Sequence, residues 1–419
     1  MNSTIKPAPL SEGIAPKPQS SASGTNRIES IDIFRGLTVI VMVFVNDLSG
    51  AKGLPWWTYH MPGDANGMTY VDMVFPAFLF IVGMSIPLAI QRRLAKGQSL
   101  GKIWGHILVR SLSLMALGLF LANAENADPK WMGANAGLYT LLAFFGALVL
   151  WSSYPVSPKY KTLYRTLKFL GLLALLWFAI SFRRSAPDGH IAWLDFSYFE
   201  ILGFIGGAYL VVSTLYLVLK KHLWMLASSF VILCALNTFS TIGWLKWLSH
   251  FPGLDSLPFE AGLSSIAMAG LLLSVVFFAA PFATAWKSKV TLAFGYAGIL
   301  ALAGLALSRF GISKIRDTPS WCLYCSAINV LLFLLLYWLA DVEHHTEWAA
   351  FAKPAGSNTL LAYFLPYVLY DILYVIPGLK IISASRTYGW MGVLRATLFT
   401  TVALILCATL TKRKIRLQL

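Results

Sequence analysis

Long apolar runs separated by short polar stretches repeat along the chain from about residue 34 onward. Each is on the order of 20 residues, enough to cross a hydrocarbon core of about 30 Å as an α-helix. About twelve are predicted, at 34–52, 70–90, 103–122, 135–153, 167–183, 199–219, 223–243, 262–284, 290–310, 320–340, 356–377 and 390–410. Apolar residues follow one another continuously instead of alternating, which excludes a β-barrel. Run 167–183 is short, and 356–377 is broken by Pro366, Asp371 and Pro377. The pattern predicts an all-α, polytopic transmembrane helical bundle of about 10–12 helices. Residues 1–26, rich in Ser, Pro, Ala and Gly, are expected to be a disordered tail and not a cleaved leader, with 27–419 a single transmembrane domain.

Composition agrees with this reading. The chain is 57% hydrophobic and 12% charged, about half the charged fraction of a soluble protein. Its net charge of +15 does not imply nucleic acid, because the basic residues lie in short loops with no aromatic-basic face for bases. They orient the chain instead. Loops after even-numbered runs carry Arg92, Arg93, Lys96 and Lys102, then Lys159, Lys161 and Arg165, then Lys220, Lys221, Lys287 and Lys289. With the tails included, that side holds roughly twice the Lys and Arg of the other, so both termini are expected in the cytoplasm. Cys234, Cys322, Cys325 and Cys407 all fall in apolar runs, which argues against a disulfide framework. Cys322 and Cys325 have CxxC spacing, but partners for a metal site are missing, and no metal is expected.

Polar residues inside apolar runs are costly and imply a task. Asn46, Asp47 and Asp72 are such residues, with His60 in the short loop between them. That block supplies a titratable base, a carboxylate able to orient it, and an amide. The combination suggests proton-transfer or acyl-transfer chemistry at the edge of a membrane. Imidazole is the obvious base near neutral pH. Asp72 would fix its tautomer, and alternatively caps its helix. Asn46 would donate to an oxygen gaining charge, or simply join two helices. Asp47 is either a substrate-side group or a solvated helix end. Arg27 and Arg35 lie at the cytoplasmic entrance, where guanidinium suits phosphate as well as plain anchoring. Lys314 falls in an outer loop and can hold an acidic acceptor, while Asn358 opens a helix from the cytoplasmic side as a cap or as part of a donor path.

The stretches RIESIDIFRG, VNDLSG, HMPGDANGMTYVDMVFPAFLFIVGMSIP, ISKIRDTPSW and PAGSNTLLAYFL resemble bacterial relatives of heparan-α-glucosaminide N-acetyltransferase, in a subgroup of unknown function. The resemblance runs from about Arg27 to the C-terminus and is densest in the first two helices. It implies transfer of an acetyl group from cytosolic acetyl-CoA to an amino sugar or glycan across the membrane. It also implies a catalytic site at His60, flanked by Asn46 and Asp72, in a bacterial inner membrane. The lipid bilayer is then an obligatory partner, and a second copy of the chain a candidate one. A transporter or flippase for a sugar-like or lipid-linked solute is the rival reading, since broken helices and intramembrane carboxylates also mark substrate pathways.

Overall fold

The computed structural model describes residues 28–124, 126–132, 136–154, 158–186, 188–251, 257–278, 285–376 and 387–417. The expected tail 1–26 and the candidate Arg27 lie outside the described residues. Every predicted run coincides with a helix: α1 (Glu29–Leu48), α2 (Val71–Ala95), α3 (Leu100–Ala124), α4 (Ala136–Trp151), α5 (Lys161–Ser181), α6 (Glu200–Leu219), α7 (Leu223–Thr241), α8 (Leu257–Phe277), α9 (Trp286–Leu307), α10 (Pro319–Tyr337), α11 (Thr359–Val375) and α12 (Trp390–Lys412). Among the described residues, 9 helices are both long and apolar enough to cross a membrane. The others fall short for identifiable reasons. α4 and α11 are shorter apolar helices, and α1 carries Glu29, Asp32, Arg35 and Asp47. The chain is thus an all-α polytopic helical protein.

Several helices extend past their apolar runs. α2 continues through Arg92 and Arg93, and α5 begins at Lys161, ahead of Arg165 and Lys168. Backbone hydrogen bonding does not stop where hydropathy falls, and long basic side chains reach the interface from the last turns of a span. α1 begins at Glu29 because its N-terminus is capped from far away. The two carboxylate oxygens of Asp341 accept from the backbone N–H groups of Glu29 and Ser30, both at 3.0 Å. A carboxylate there satisfies orphan donors and complements the helix dipole.

α8 lies at the centre, packed on α2, α6, α7 and α10. Small residues let these backbones approach closely. A Cβ at Gly83 would fall 1.8 Å from the carbonyl oxygen of Ala267, and one at Gly270 would fall 2.1 Å from that of Phe80. The α2–α8 contact therefore tolerates no side chain at either position. α5, α7, α9 and α12 are peripheral and turn residues such as Leu170, Ile180, Ile232, Phe294, Leu302 and Ile405 outward. Such faces suit a lipid environment.

Two ends of the bundle are distinguishable. At the terminal end, where α1 starts and α12 finishes, Ser152–Ser153 pairs antiparallel with Arg416–Leu417. At the distal end, Lys52 pairs with Tyr388. The exposed Trp56, Trp57, Trp244, Trp247 and Trp390 lie in distal loops or at a distal helix start, as expected of an interfacial belt.

Candidate active site

The first turn of α2 builds the centre of the site. Asp72 is 0% exposed, and its carboxylate is fully engaged. Oδ1 lies 2.7 Å from His60 Nδ1. Oδ2 accepts from the backbone N–H groups of Thr69 at 2.9 Å and Met61 at 3.2 Å. The Asp72 N–H in turn donates to the Thr69 carbonyl at 3.2 Å. The side chain thus satisfies two loop N–H groups ahead of α2 while the backbone closes a turn. Asp72 therefore meets His60 with one oxygen and the loop ahead of α2 with the other, while the N-cap position itself falls on Tyr70.

With Asp72 accepting at Nδ1, the hydrogen-bond network assigns the ring proton to Nδ1 and leaves a lone pair on Nε2. That nitrogen faces Lys314 Nζ at 3.2 Å. The His60 side chain is 36% exposed. It is therefore anchored to Asp72 and reachable from solvent beside Lys314, whose Nζ lies 3.2 Å from Nε2 and 3.3 Å from Nδ1.

Lys314 arrives on a compact turn between α9 and α10. The Ser313 N–H donates to Thr318 Oγ1 at 2.9 Å, and the Thr318 N–H donates back to the Ser313 carbonyl at 3.1 Å. The turn is tied to the His60 loop by the Ile312 N–H donating to Asn66 Oδ1 at 2.7 Å and the Gly67 N–H donating to the Ile312 carbonyl at 2.9 Å. Burial pushes the Lys314 ammonium below the ordinary lysine range, while the Asp72 charge opposes that shift. Sequence reasoning assigned Lys314 to substrate but did not pair it with the histidine.

Two cavities enter the bundle from opposite ends. The terminal one, about 830 Å³, is lined by Arg35, Arg92, Arg93, His106 and Arg110 among other residues. Arg35 also donates to Ser85 Oγ at 2.9 Å and to Asp32 Oδ1 at 3.3 Å. From the sequence Arg92 and Arg93 served orientation only. The signal that they share a pocket with His106 and Arg110 was the placement of charges within or at the ends of otherwise apolar helices. The inner end of this cavity touches Met42 and Phe78. Phe78 is about 9 Å along α2 from Asp72.

The distal cavity, about 460 Å³, is lined by Asn46, Asp47, Thr140, Glu200, Tyr367 and Asp371 among others. Tyr363 borders both cavities. Its hydroxyl donates to Glu200 Oε1 at 2.7 Å.

The remaining candidates divide accordingly. Asn46 is exposed and lines the distal cavity, and among the described residues it makes no hydrogen bond to His60. Asp47 is 4% exposed, and Arg395 stands 3.3 Å from its Oδ2. Asn358 borders the terminal cavity, but its amide is committed to the C-terminal segment. Nδ2 donates to Thr411 Oγ1 at 3.0 Å and to the Ile415 carbonyl at 2.9 Å, and Oδ1 accepts from the Leu417 N–H at 3.1 Å. It shapes the wall more than it offers a free group.

Comparison with known proteins follows these same regions. A family model described as a domain of unknown function, DUF5009, matches residues 27–186. Over 381 residues the chain is 26% identical to heparan-alpha-glucosaminide N-acetyltransferase of Mus musculus, covering 83% of this chain and 54% of that protein. The chain is homologous to this acetyltransferase. The Homo sapiens heparan-alpha-glucosaminide N-acetyltransferase is 36% identical over 123 residues, 29% of this chain and 18% of that protein. The chain thus spans about half the length of the mouse N-acetyltransferase and a smaller part of the human one. The family model covers Arg35, Asn46, His60 and Asp72 and ends before Lys314.

Proposed function

We propose that this chain is a membrane-embedded acetyltransferase that takes an acetyl group from acetyl-CoA at the terminal end and delivers it to an amino sugar or related amine at the distal end. The bundle lies in a bacterial inner membrane with both termini cytoplasmic, the orientation favoured by the distribution of Lys and Arg. The observation that carries this reading is the His60–Asp72 pair, with Nδ1 and Oδ1 2.7 Å apart and the half-exposed ring lying beside the Lys314 ammonium.

The terminal cavity fits the donor. Arg35, Arg92, Arg93 and Arg110 present guanidinium groups, which match phosphate oxygens in geometry and charge. The bound thioester supplies an activated acetyl group. His60 Nε2 takes a proton from the attacking amine, Asp72 holds the ring in the required tautomer, and the Lys314 ammonium leaves Nε2 to stabilise charge on oxygen. An N–C bond forms to the acetyl carbon as its C–S bond breaks, and His60 returns the proton to the departing sulfur. A variant route, in which His60 itself carries the acetyl group, places the same demands on Asp72.

The test uses purified protein in liposomes with labelled acetyl-CoA and a panel of amino sugars. Acetyl transfer that is lost in His60→Ala is the expected result. Transfer that survives that change intact removes the assignment of His60. Movement of unmodified solute without transfer favours a transporter or flippase.

A further inference from the structure

We infer that Lys314 is a self-acetylation site, its side-chain amine taking the acetyl group of acetyl-CoA when no external amine is bound and thereby silencing the protein. This rests on the acyl-transfer reading above and adds to it a modified residue and a mode of regulation. Lys314 Nζ stands 3.2 Å from His60 Nε2 and 3.3 Å from Nδ1. A primary amine thus already occupies the position from which the acceptor gives up its proton.

The turn holds that amine in place. The Asp317 N–H donates to the Lys314 carbonyl at 3.1 Å, and the Asp317 side chain is anchored by Asn237 and Cys322. Ile315 packs so close to Gly63 of the His60 loop that a Cβ there would stand 3.1 Å from its Cγ2. Holding a nucleophile and its base in one frame replaces a bimolecular encounter with an intramolecular one. Other lysines have different partners. Lys353 pairs with Glu29 at 3.6 Å, and Lys289 donates to the Tyr337 hydroxyl at 2.7 Å. Lys314 meets an imidazole and forms no ion pair with a carboxylate among the described residues. Burial, which lowers its pKa against the pull of Asp72, further favours the neutral amine.

The ammonium releases one proton to His60 Nε2 and from there to solvent. Nζ then attacks the acetyl carbon, and an N–C bond forms as the C–S bond breaks. His60 passes the second nitrogen proton to the departing sulfur, giving free CoA and N-acetyl-lysine. An amide is a poor acyl donor, so the group stays. The change removes the cation beside His60 and puts an acetyl group where the acceptor amine must stand. A bound acceptor displaces Nζ from Nε2 and so protects it.

The experiment incubates the full chain in nanodiscs with labelled acetyl-CoA, with and without the panel of amino sugars. Peptide mass spectrometry locates the label while transfer to sugar is measured in the same samples. Label at Lys314 is expected without acceptor, with transfer activity lost in step and both changes slowed by any sugar that is acetylated. His60→Gln and Asp72→Asn, each shown by CoA binding to be folded, are expected to slow labelling of Lys314 about a hundredfold or more, the contribution of a general base and its partner. Chemical acetylation of the exposed Lys96 should not change. Transfer to sugar with Lys314 unlabelled overturns the inference and leaves the transferase reading standing. Labelling that neither variant slows also overturns it, as does label that accumulates while transfer activity holds constant. Label on neither protein nor sugar sinks the transferase reading and this inference with it.

Discussion

At the residue scale, the carboxylate of Asp72 joins the start of a helix to a histidine. Its Oδ2 closes the start of α2, while its Oδ1 orients His60. Asn in its place retains a carbonyl oxygen but offers an N–H₂ where one acceptor stood. The ring proton then moves to Nε2, the nitrogen that accepts a proton in the transfer we propose. Asp72→Asn is expected to lower kcat about 10²–10⁴-fold with little change in the KM for acetyl-CoA, measured by steady-state kinetics. A second residue predicts a pH effect on stability. Asp317 is 3% exposed, flanked by Asn237 Nδ2 at 3.3 Å and Cys322 Sγ at 3.4 Å. Burial pushes its carboxyl well above the usual carboxylate range, and nearby Glu260 adds to that rise. The folded protein therefore holds a proton that the unfolded chain has released. Its stabilising effect is complete below the unfolded pKa and is lost as pH rises through the folded one, by up to about 1.4 kcal/mol per pH unit. Asp317→Asn is expected to flatten that decline in a thermal-denaturation series against pH. Asn is a fair probe because Asp317 has φ 47°, a left-handed conformation that Asn also tolerates.

At the scale of elements, the helices were legible because hydropathy alone decides what a bilayer accepts. All twelve runs became helices, and even the two weakest, α5 and α11, held. Boundaries were less legible. α1 starts at Glu29 through Asp341, a partner 312 residues away that no local pattern reveals. The site shows the same division. His60 and Asp72 lie 12 residues apart, close enough for loop and helix geometry to suggest their meeting. Lys314 joins them across a separation of 254 residues, brought there by the packing of α10 beside α2 and by the hydrogen bonds of Ile312 to Asn66 and Gly67. The α2–α8 contact makes its own prediction. Gly83→Val must push aside the Ala267 carbonyl, which is backbone and cannot rotate away. A loss of about 1–3 kcal/mol is expected, read as a lower midpoint of denaturation in mixed micelles. The same change at Gly97, where an added Cβ meets nothing within 4 Å, tests instead only the backbone conformation.

At the scale of the whole molecule, the two cavities differ in charge. Arginines gather at the terminal end and carboxylates at the distal end, with Tyr363 common to both. In the function we propose, a donor whose phosphates cannot enter hydrocarbon is held at one surface while its acyl end points inward. This arrangement predicts a separation of binding from chemistry. Arg92→Gln combined with Arg110→Gln is expected to raise the KM for acetyl-CoA by about tenfold or more, the scale of losing charge-assisted phosphate contacts. The same pair is expected to leave kcat/KM unchanged for S-acetylpantetheine, which lacks the nucleotide. Raising salt should weaken acetyl-CoA binding and spare the short thioester, since only the former depends on exposed charge. Sidedness follows from the same division. In sealed vesicles of uniform orientation, acetyl-CoA is expected to act only from the terminal surface and amine only from the distal one. Equal losses for both thioesters in the arginine variant would mean that these guanidinium groups support the bundle, and that the nucleotide is held elsewhere.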